Sequence, residues 1–275
     1  MIVSPRLRAE CSEFAREVVA DLQTEGVHVT SVERLLGAAA PAYREAMARA
    51  SDFMWECAAG DHPAWRVQAA STDLLAAELL ARLPELYLFG LNAQLLSLAE
   101  QYLRVPVAYH GAVLRHSIVD GAEVGPRLWH RDCEDFHVLR TVVYLNDVAE
   151  DGGPFEYIPR DKSLVAGEAD RHTPMRGNER MQTAVPRSQW KRCVGPAGTV
   201  ILADSAQVFH HESLQRRTDR SVVMMGHSSR RPRDLALALA HFPVEANAAA
   251  LARLVAPEHH PHVFSWRAPR PRRAR

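Results

Sequence analysis

The feature that most constrains this chain is a change of hydropathy period close to Val105. Downstream of it the β-branched runs VPVAYHGAVLRHSIV, HVLRTVVYLNDV, GTVILAD and RSVVMMGHSS follow one another, with the turn signals Asp151-Gly152-Gly153-Pro154 and Gly195-Pro196-Ala197-Gly198 between them. Short apolar runs bounded by Gly and Pro build antiparallel sheets, whereas βαβ units would need a helical segment between successive strands. This half therefore reads as an all-β sandwich or barrel. Upstream, apolar residues recur at spacings of three and four, the helical period. Helices are predicted over Arg6–Leu22, over Ser31–Arg49 with an interruption at Pro41, over Thr72–Leu83 ended by Pro84, and over Ala93–Leu103 behind an Asn92 cap. The expected fold is mainly β with flanking α-helices. It forms a single domain with a helical part (1–104), a β core (105–230) and a C-terminal extension (231–275). Residues 161–192 are polar and show no period, so they read as a mobile loop or lid.

Charge narrows the partners. Thirty-three Lys and Arg balance 33 Asp and Glu in 275 residues, so no net field draws the chain to nucleic acid or to an anionic membrane. Five Arg in the terminal RAPRPRRAR read as a solvated tail. No signal-peptide pattern opens the chain and no stretch of about 18 apolar residues occurs, which leads to the expectation of a soluble, cytoplasmic protein. Cys11, Cys57, Cys133 and Cys193 lie far apart without a C-x-x-C pair. Reduced thiols are expected, and structural zinc is not.

Fourteen histidines must be judged by their neighbours. In Trp129-His130-Arg131-Asp132, residues two apart on a strand share a face, so an imidazole and a carboxylate converge while Arg131 points away. In GTVILADSAQVFHHES a strand and a turn lead to His210 and His211, of which alternation lets only one face inward. Either would complete a set of two histidines and one carboxylate, the arrangement that leaves positions open on non-haem iron(II). Arg220 heads the apolar run SVVMM, where a guanidinium is costly to bury unless it meets an anion. Glu258-His259-His260-Pro261-His262 reads as a solvated turn, and Cys133 as a half-buried strand residue. Arg115, His116, His137 and Trp190 are candidates for the wall of a substrate pocket. No glycine-rich phosphate loop is present.

The three stretches in this order, joined by TVVYLNDVAEDGGPFEYIPRDKS, resemble the iron(II)/2-oxoglutarate-dependent oxygenases, and among them the phytanoyl-CoA dioxygenase-like family. The resemblance spans roughly Gly26 to Ser229. It implies a double-stranded β-helix, the cupin-like jelly roll, with the N-terminal helices outside its larger sheet. It implies that His130, Asp132 and His210 bind Fe(II) and that Arg220 binds the far carboxylate of 2-oxoglutarate. It further implies that O₂ is consumed to hydroxylate or otherwise oxidise a small organic substrate, with release of succinate and CO₂. Many relatives carry a hydroxyl residue two positions after the arginine, where this chain has Val222; Ser221, Thr141 or Tyr144 are candidates to replace it. Arg160-Asp161-Lys162 stands where many relatives have Gly-Ser-His. A full carboxylate at Asp132 argues against halogenation, because halogenating relatives carry a small residue there. Two rival classes are a zinc-dependent hydrolase with the same ligands, which leaves Arg220 unexplained, and a non-catalytic cupin-like binding protein. The Ala/Arg-rich composition is compatible with bacterial secondary metabolism.

Overall fold

The computed structural model describes residues 12–58, 65–68, 71–74, 76–169, 175–214, 217–240, 242 and 244–267. The N-terminal part supplies α1 (Glu13–Thr24), β1 (Val27–Ser31), α2 (Val32–Leu36) and α3 (Ala40–Ala58). The hairpin of β2 (Trp65–Gln68) and β3 (Ser71–Leu74) follows, and then α4 (Ala76–Arg82), α5 (Pro84–Phe89) and α6 (Ala93–Leu103). The central part contains β4 (Val107–Ser117), β5 (Leu139–Tyr144), β6 (Phe155–Tyr157), α7 (Arg160–Ala169), α8 (Asn178–Ala184), β7 (Lys191–Cys193), β8 (Thr199–Asp204), β9 (His210–Glu212) and β10 (Arg220–Ser229). The C-terminal part is α9 (Leu235–Ala240), α10 (Ala248–Leu254) and α11 (His260–Val263).

These strands form two antiparallel sheets, one of seven in the order β1-β8-β5-β10-β4-β3-β2 and one of three in the order β7-β6-β9. Period two divides the larger sheet. Leu139 and Val143 of β5, Val200 and Leu202 of β8, and Val223 and Met225 of β10 pack with the helices. Val142, Tyr144, Ile201, Ala203 and Val222 face Phe155, Tyr157 and Cys193 of the smaller sheet. The helical layer is built as its stripes require. In α6, Asn92 accepts a hydrogen bond from the Gln94 N–H, and Leu95, Leu98, Ala99 and Tyr102 are buried. Each fully buried leucine there contributes roughly 1.5–3 kcal/mol.

Several expectations need correction. Ser31 ends strand β1 and caps α2 through its hydroxyl, and Pro41 lies in the first turn of α3, where a missing N–H costs nothing. Residues 71–74 are a strand, not the start of a helix. Both strands were hidden because their few residues sit among helical neighbours and find partners only in distant segments, β1 on β8 and β3 on β4. Residues 161–192 are not an irregular loop: they carry α7, α8 and β7. Ala166, Met181 and Val185 pack with Trp129 and Phe209, a contact that a polar composition conceals. Residues 231–267 close on the larger sheet through Ala238 and Trp266, and the basic residues 268–275 lie outside the described ones. Leu235–Leu254 is long and apolar enough to cross a membrane, contrary to the sequence reading. It is divided between α9 and α10, with Ala238, Phe242, Val244 and Leu251 buried.

Candidate metal centre

The two sheets enclose a cavity of about 330 Å³ whose wall includes His130, Asp132, His210 and Arg220. His130 reaches it from a short bridge rather than a strand. Its backbone N–H and C=O exchange hydrogen bonds of 3.0 Å with His210, which lies on β9. Asp132 follows, its backbone N–H donating to the Ser205 carbonyl at 2.9 Å. The bridge sets the two imidazoles side by side, with ring centres 4.4 Å apart. One donor atom from each of His130, Asp132 and His210 lies within 4.8 Å of the others.

Hydrogen bonding fixes which atoms are offered. Nδ1 of His130 contacts the Leu128 carbonyl at 2.7 Å and Nδ1 of His210 contacts the Val208 carbonyl at 3.2 Å. A carbonyl can only accept, so each Nδ1 carries the proton and each Nε2 presents a lone pair, the usual support for a metal-binding imidazole. Burial pushes His130 down and His210 to about 3, so both rings are neutral near pH 7. Burial alone would raise the Asp132 carboxyl, but the Arg140 guanidinium and the two histidines hold it well below the usual carboxylate range. Two neutral nitrogens and one carboxylate on one side of a cavity fit a divalent transition metal and leave the other side open.

Arg140 carries out an orienting role that the sequence reading missed. From β5 its Nε donates to Asp132 at 2.7 Å, and its other end pairs with the buried Glu134. Gly226 is its cross-strand partner on β10, and a Cβ there would stand 2.5 Å from Arg140 Nη1. The signal was present in the alternation Arg140, Val142, Tyr144, which marks the inward face of β5.

The same alternation places the other candidates. Thr141 and Ser221 fall on the helix-facing side of β5 and β10, and Ser221 Oγ is 2.9 Å from His116 Nδ1, so neither lines the cavity. Tyr144 is on the inward face, but its hydroxyl is used by the sheets: it donates to the Cys193 carbonyl at 2.6 Å and accepts from the Phe155 N–H at 2.9 Å. His211 points away from His210. Its ring is bonded to the Arg127 carbonyl at 2.9 Å and to Glu156 at 2.8 Å, and it stacks on Trp129 at 3.9 Å. Of the four pocket candidates only Arg115 lines the cavity, paired with Asp73 at 2.7 Å and 3.0 Å. His137 pairs with Asp204, and Trp190 packs on Trp129. Cys133 is exposed. His260 and His262 bond to backbone carbonyls, and residues 258–262 form no metal-binding group among the described residues. The segment read as a lid also braces the residue before His130: Arg176 exchanges backbone bonds of 2.8 and 2.9 Å with Trp129, whose indole N–H donates to Asn178 at 2.8 Å.

No family model matches the chain, and no curated protein matches it. Solved structures do. EctD from S. alaskensis with bound Fe superposes with a TM-score of 0.55 at 19% identity, over 80% of this chain and 79% of that one. The epimerase SnoN in complex with Fe3+, alpha ketoglutarate and nogalamycin RO gives 0.57 at 13% identity, over 80% and 85%. HygX from Streptomyces hygroscopicus with nickel and 2-oxoglutarate bound gives 0.51 at 14%, over 78% and 87%. At such identities the likeness is one of fold, and these structural neighbours are enzymes of the iron/2-oxoglutarate-dependent class.

Proposed function

We propose that this chain is an Fe(II)- and 2-oxoglutarate-dependent dioxygenase on a double-stranded β-helix, hydroxylating or otherwise oxidising a small organic substrate. The observation that carries the reading is the convergence of two oriented Nε2 atoms and one carboxylate at a cavity whose wall also holds a buried arginine. The neighbours described as an epimerase and as a carbocyclase from nogalamycin biosynthesis support a place in secondary metabolism and leave epimerisation and ring closure open beside hydroxylation.

Bound at this site, iron(II) with 2-oxoglutarate would supply the activation of O₂ and the oxidation of a C–H bond, releasing succinate and CO₂. The chain's own residues do the rest. His130, Asp132 and His210 would hold the ion through two imidazoles and one carboxylate. Arg140 fixes the plane of Asp132, so the carboxylate is oriented before any metal arrives. Arg220 brings a buried guanidinium to the cavity wall, the group that would meet a cosubstrate carboxylate. Val113, Val142, Phe155 and Met224 form apolar wall that keeps bulk water from the reacting atoms.

The test is metal analysis joined to a succinate-release assay on the full chain. One Fe(II) per chain, lost in His130→Ala and in His210→Ala, with 2-oxoglutarate turned over to succinate in air, is the expected result. A protein that retains zinc, releases no succinate and hydrolyses esters or amides would replace this reading with the hydrolase.

A further inference from the structure

Arg220 is already paired within the protein. Its Nη1 donates to the Gly153 carbonyl at 2.9 Å, and its Nη2 donates to the carboxylate of Glu212. Both side chains are buried, at 5% and 4% exposure. Glu212 is held firmly in this position, since Ser117 donates to the same carboxylate oxygen at 2.9 Å and Arg127 Nε lies 3.5 Å from the other. The third guanidinium nitrogen, Arg220 Nε, is buried with no hydrogen-bond partner among the described residues.

A carboxylate that grips a guanidinium side-on uses Nε and Nη2 together, as Asp73 does on Arg115. On Arg220 that edge is half taken. Its Nη2 already donates to Glu212, while its Nε has no acceptor among the described residues. Charge tells the same story, because Arg127 also pairs with Asp120, so two guanidinium groups and two carboxylates balance before any ligand enters. Glu212 stands two residues after His210 on β9, which puts both on the cavity side of the strand.

We propose that Glu212 is a specificity-determining residue that occludes Arg220. A dicarboxylate such as 2-oxoglutarate has to displace it from the Nε/Nη2 edge, and the chain consequently discriminates weakly between 2-oxoglutarate and a 2-oxo acid with an uncharged tail. This inference rests on the reading of Arg220 as the cosubstrate anchor. An arriving carboxylate gains the free Nε–H, but it meets a like charge in a desolvated cradle that is already neutral. A 2-oxo acid with a hydrocarbon tail meets neither.

The experiment is calorimetric titration of 2-oxoglutarate and of 2-oxopentanoate into the Zn(II)-loaded full chain, as wild type and as Glu212→Gln, with no turnover needed. The amide keeps the size of the side chain and removes its charge. In the wild type the two acids are expected to bind within about tenfold of each other. In Glu212→Gln, 2-oxoglutarate is expected to bind at least about tenfold tighter than before, with 2-oxopentanoate unchanged. An equal or weaker affinity of Glu212→Gln for 2-oxoglutarate overturns the proposal and leaves the dioxygenase reading standing. Should that variant not fold, the wild type decides alone, and a preference for 2-oxoglutarate greater than about tenfold overturns the proposal. Binding of neither acid to a protein that does hold zinc overturns both this inference and the dioxygenase reading.

Discussion

Replacing each of the two adjacent histidines separates a ligand from a structural neighbour. In His211→Ala the Arg127 carbonyl and the Glu156 carboxylate lose their imidazole partner, at about 1–3 kcal/mol for each buried group left unsatisfied. The stack on Trp129 is lost as well, worth about 0.5–1.5 kcal/mol. Arg192 still donates to Glu156 at 2.8 Å, so the low end of the range applies to that carboxylate, and the total is about 2.5–5.5 kcal/mol. For a chain of this size a midpoint drop of roughly 10 °C follows. His210→Ala gives up the contact to the Val208 carbonyl at 3.2 Å and the ring contacts with Phe155 and His130, about 1–2.5 kcal/mol together. It removes one of three metal donors, which should weaken Zn(II) or Mn(II) binding by more than about 100-fold. Scanning calorimetry of the metal-free proteins and competition titration with a chelator measure both quantities. A His211→Ala protein that unfolds at the wild-type temperature but no longer binds metal, beside a His210→Ala protein that does, would refute the assignment.

Three further outcomes are expected. Burial lowers His210 to about 3 and His227 to about 4, both below the ordinary value of about 6.5. The unfolded chain therefore binds protons that the folded one refuses: metal-free stability is full above about pH 6.5 and falls by about 2.5 kcal/mol per unit near pH 5, and urea titrations showing no slope between pH 6.5 and 4.5 would contradict the burial of these rings. Tyr144→Phe strands the Phe155 N–H and the Cys193 carbonyl, so at about 1–3 kcal/mol for each group it should cost about 2–6 kcal/mol in chemical denaturation and leave 2-oxoglutarate affinity unchanged; a cosubstrate defect in a stable variant would restore Tyr144 as a contact. Gly226→Ala sets a methyl group against Arg140 and should weaken metal binding by about 10–100-fold through a misaligned Asp132. Wild-type metal affinity in that variant would show that Arg140 does not need its present position.

By itself the sequence determined whatever depends on residues close together in the chain. The change from helical to strand period and the Asn92 cap are local patterns, and each has one physical reading. Alternation could not tell His210 from His211, because period two allows either ring inward; only the fold sets His210 beside His130 and ties His211 to Arg127 and Glu156. Thr141, Ser221 and Tyr144 illustrate the same limit. Ser221 and Tyr144 lie near Arg220 in sequence or register and Thr141 pairs with Met225 further along β10, but the sheet turns Thr141 and Ser221 toward the helices and uses the hydroxyl of Tyr144 to join β5 to the smaller sheet. Asp73, Arg140 and Glu212 come to the cavity from β3, β5 and β9. Their partners stand 42, 8 and 8 residues away, each outside the strand that carries the residue, and the periodicity of one strand records no pairing with another segment. The tertiary structure alone decided them, since the cost of burying a charge is met only by the particular opposite charge that folding brings beside it.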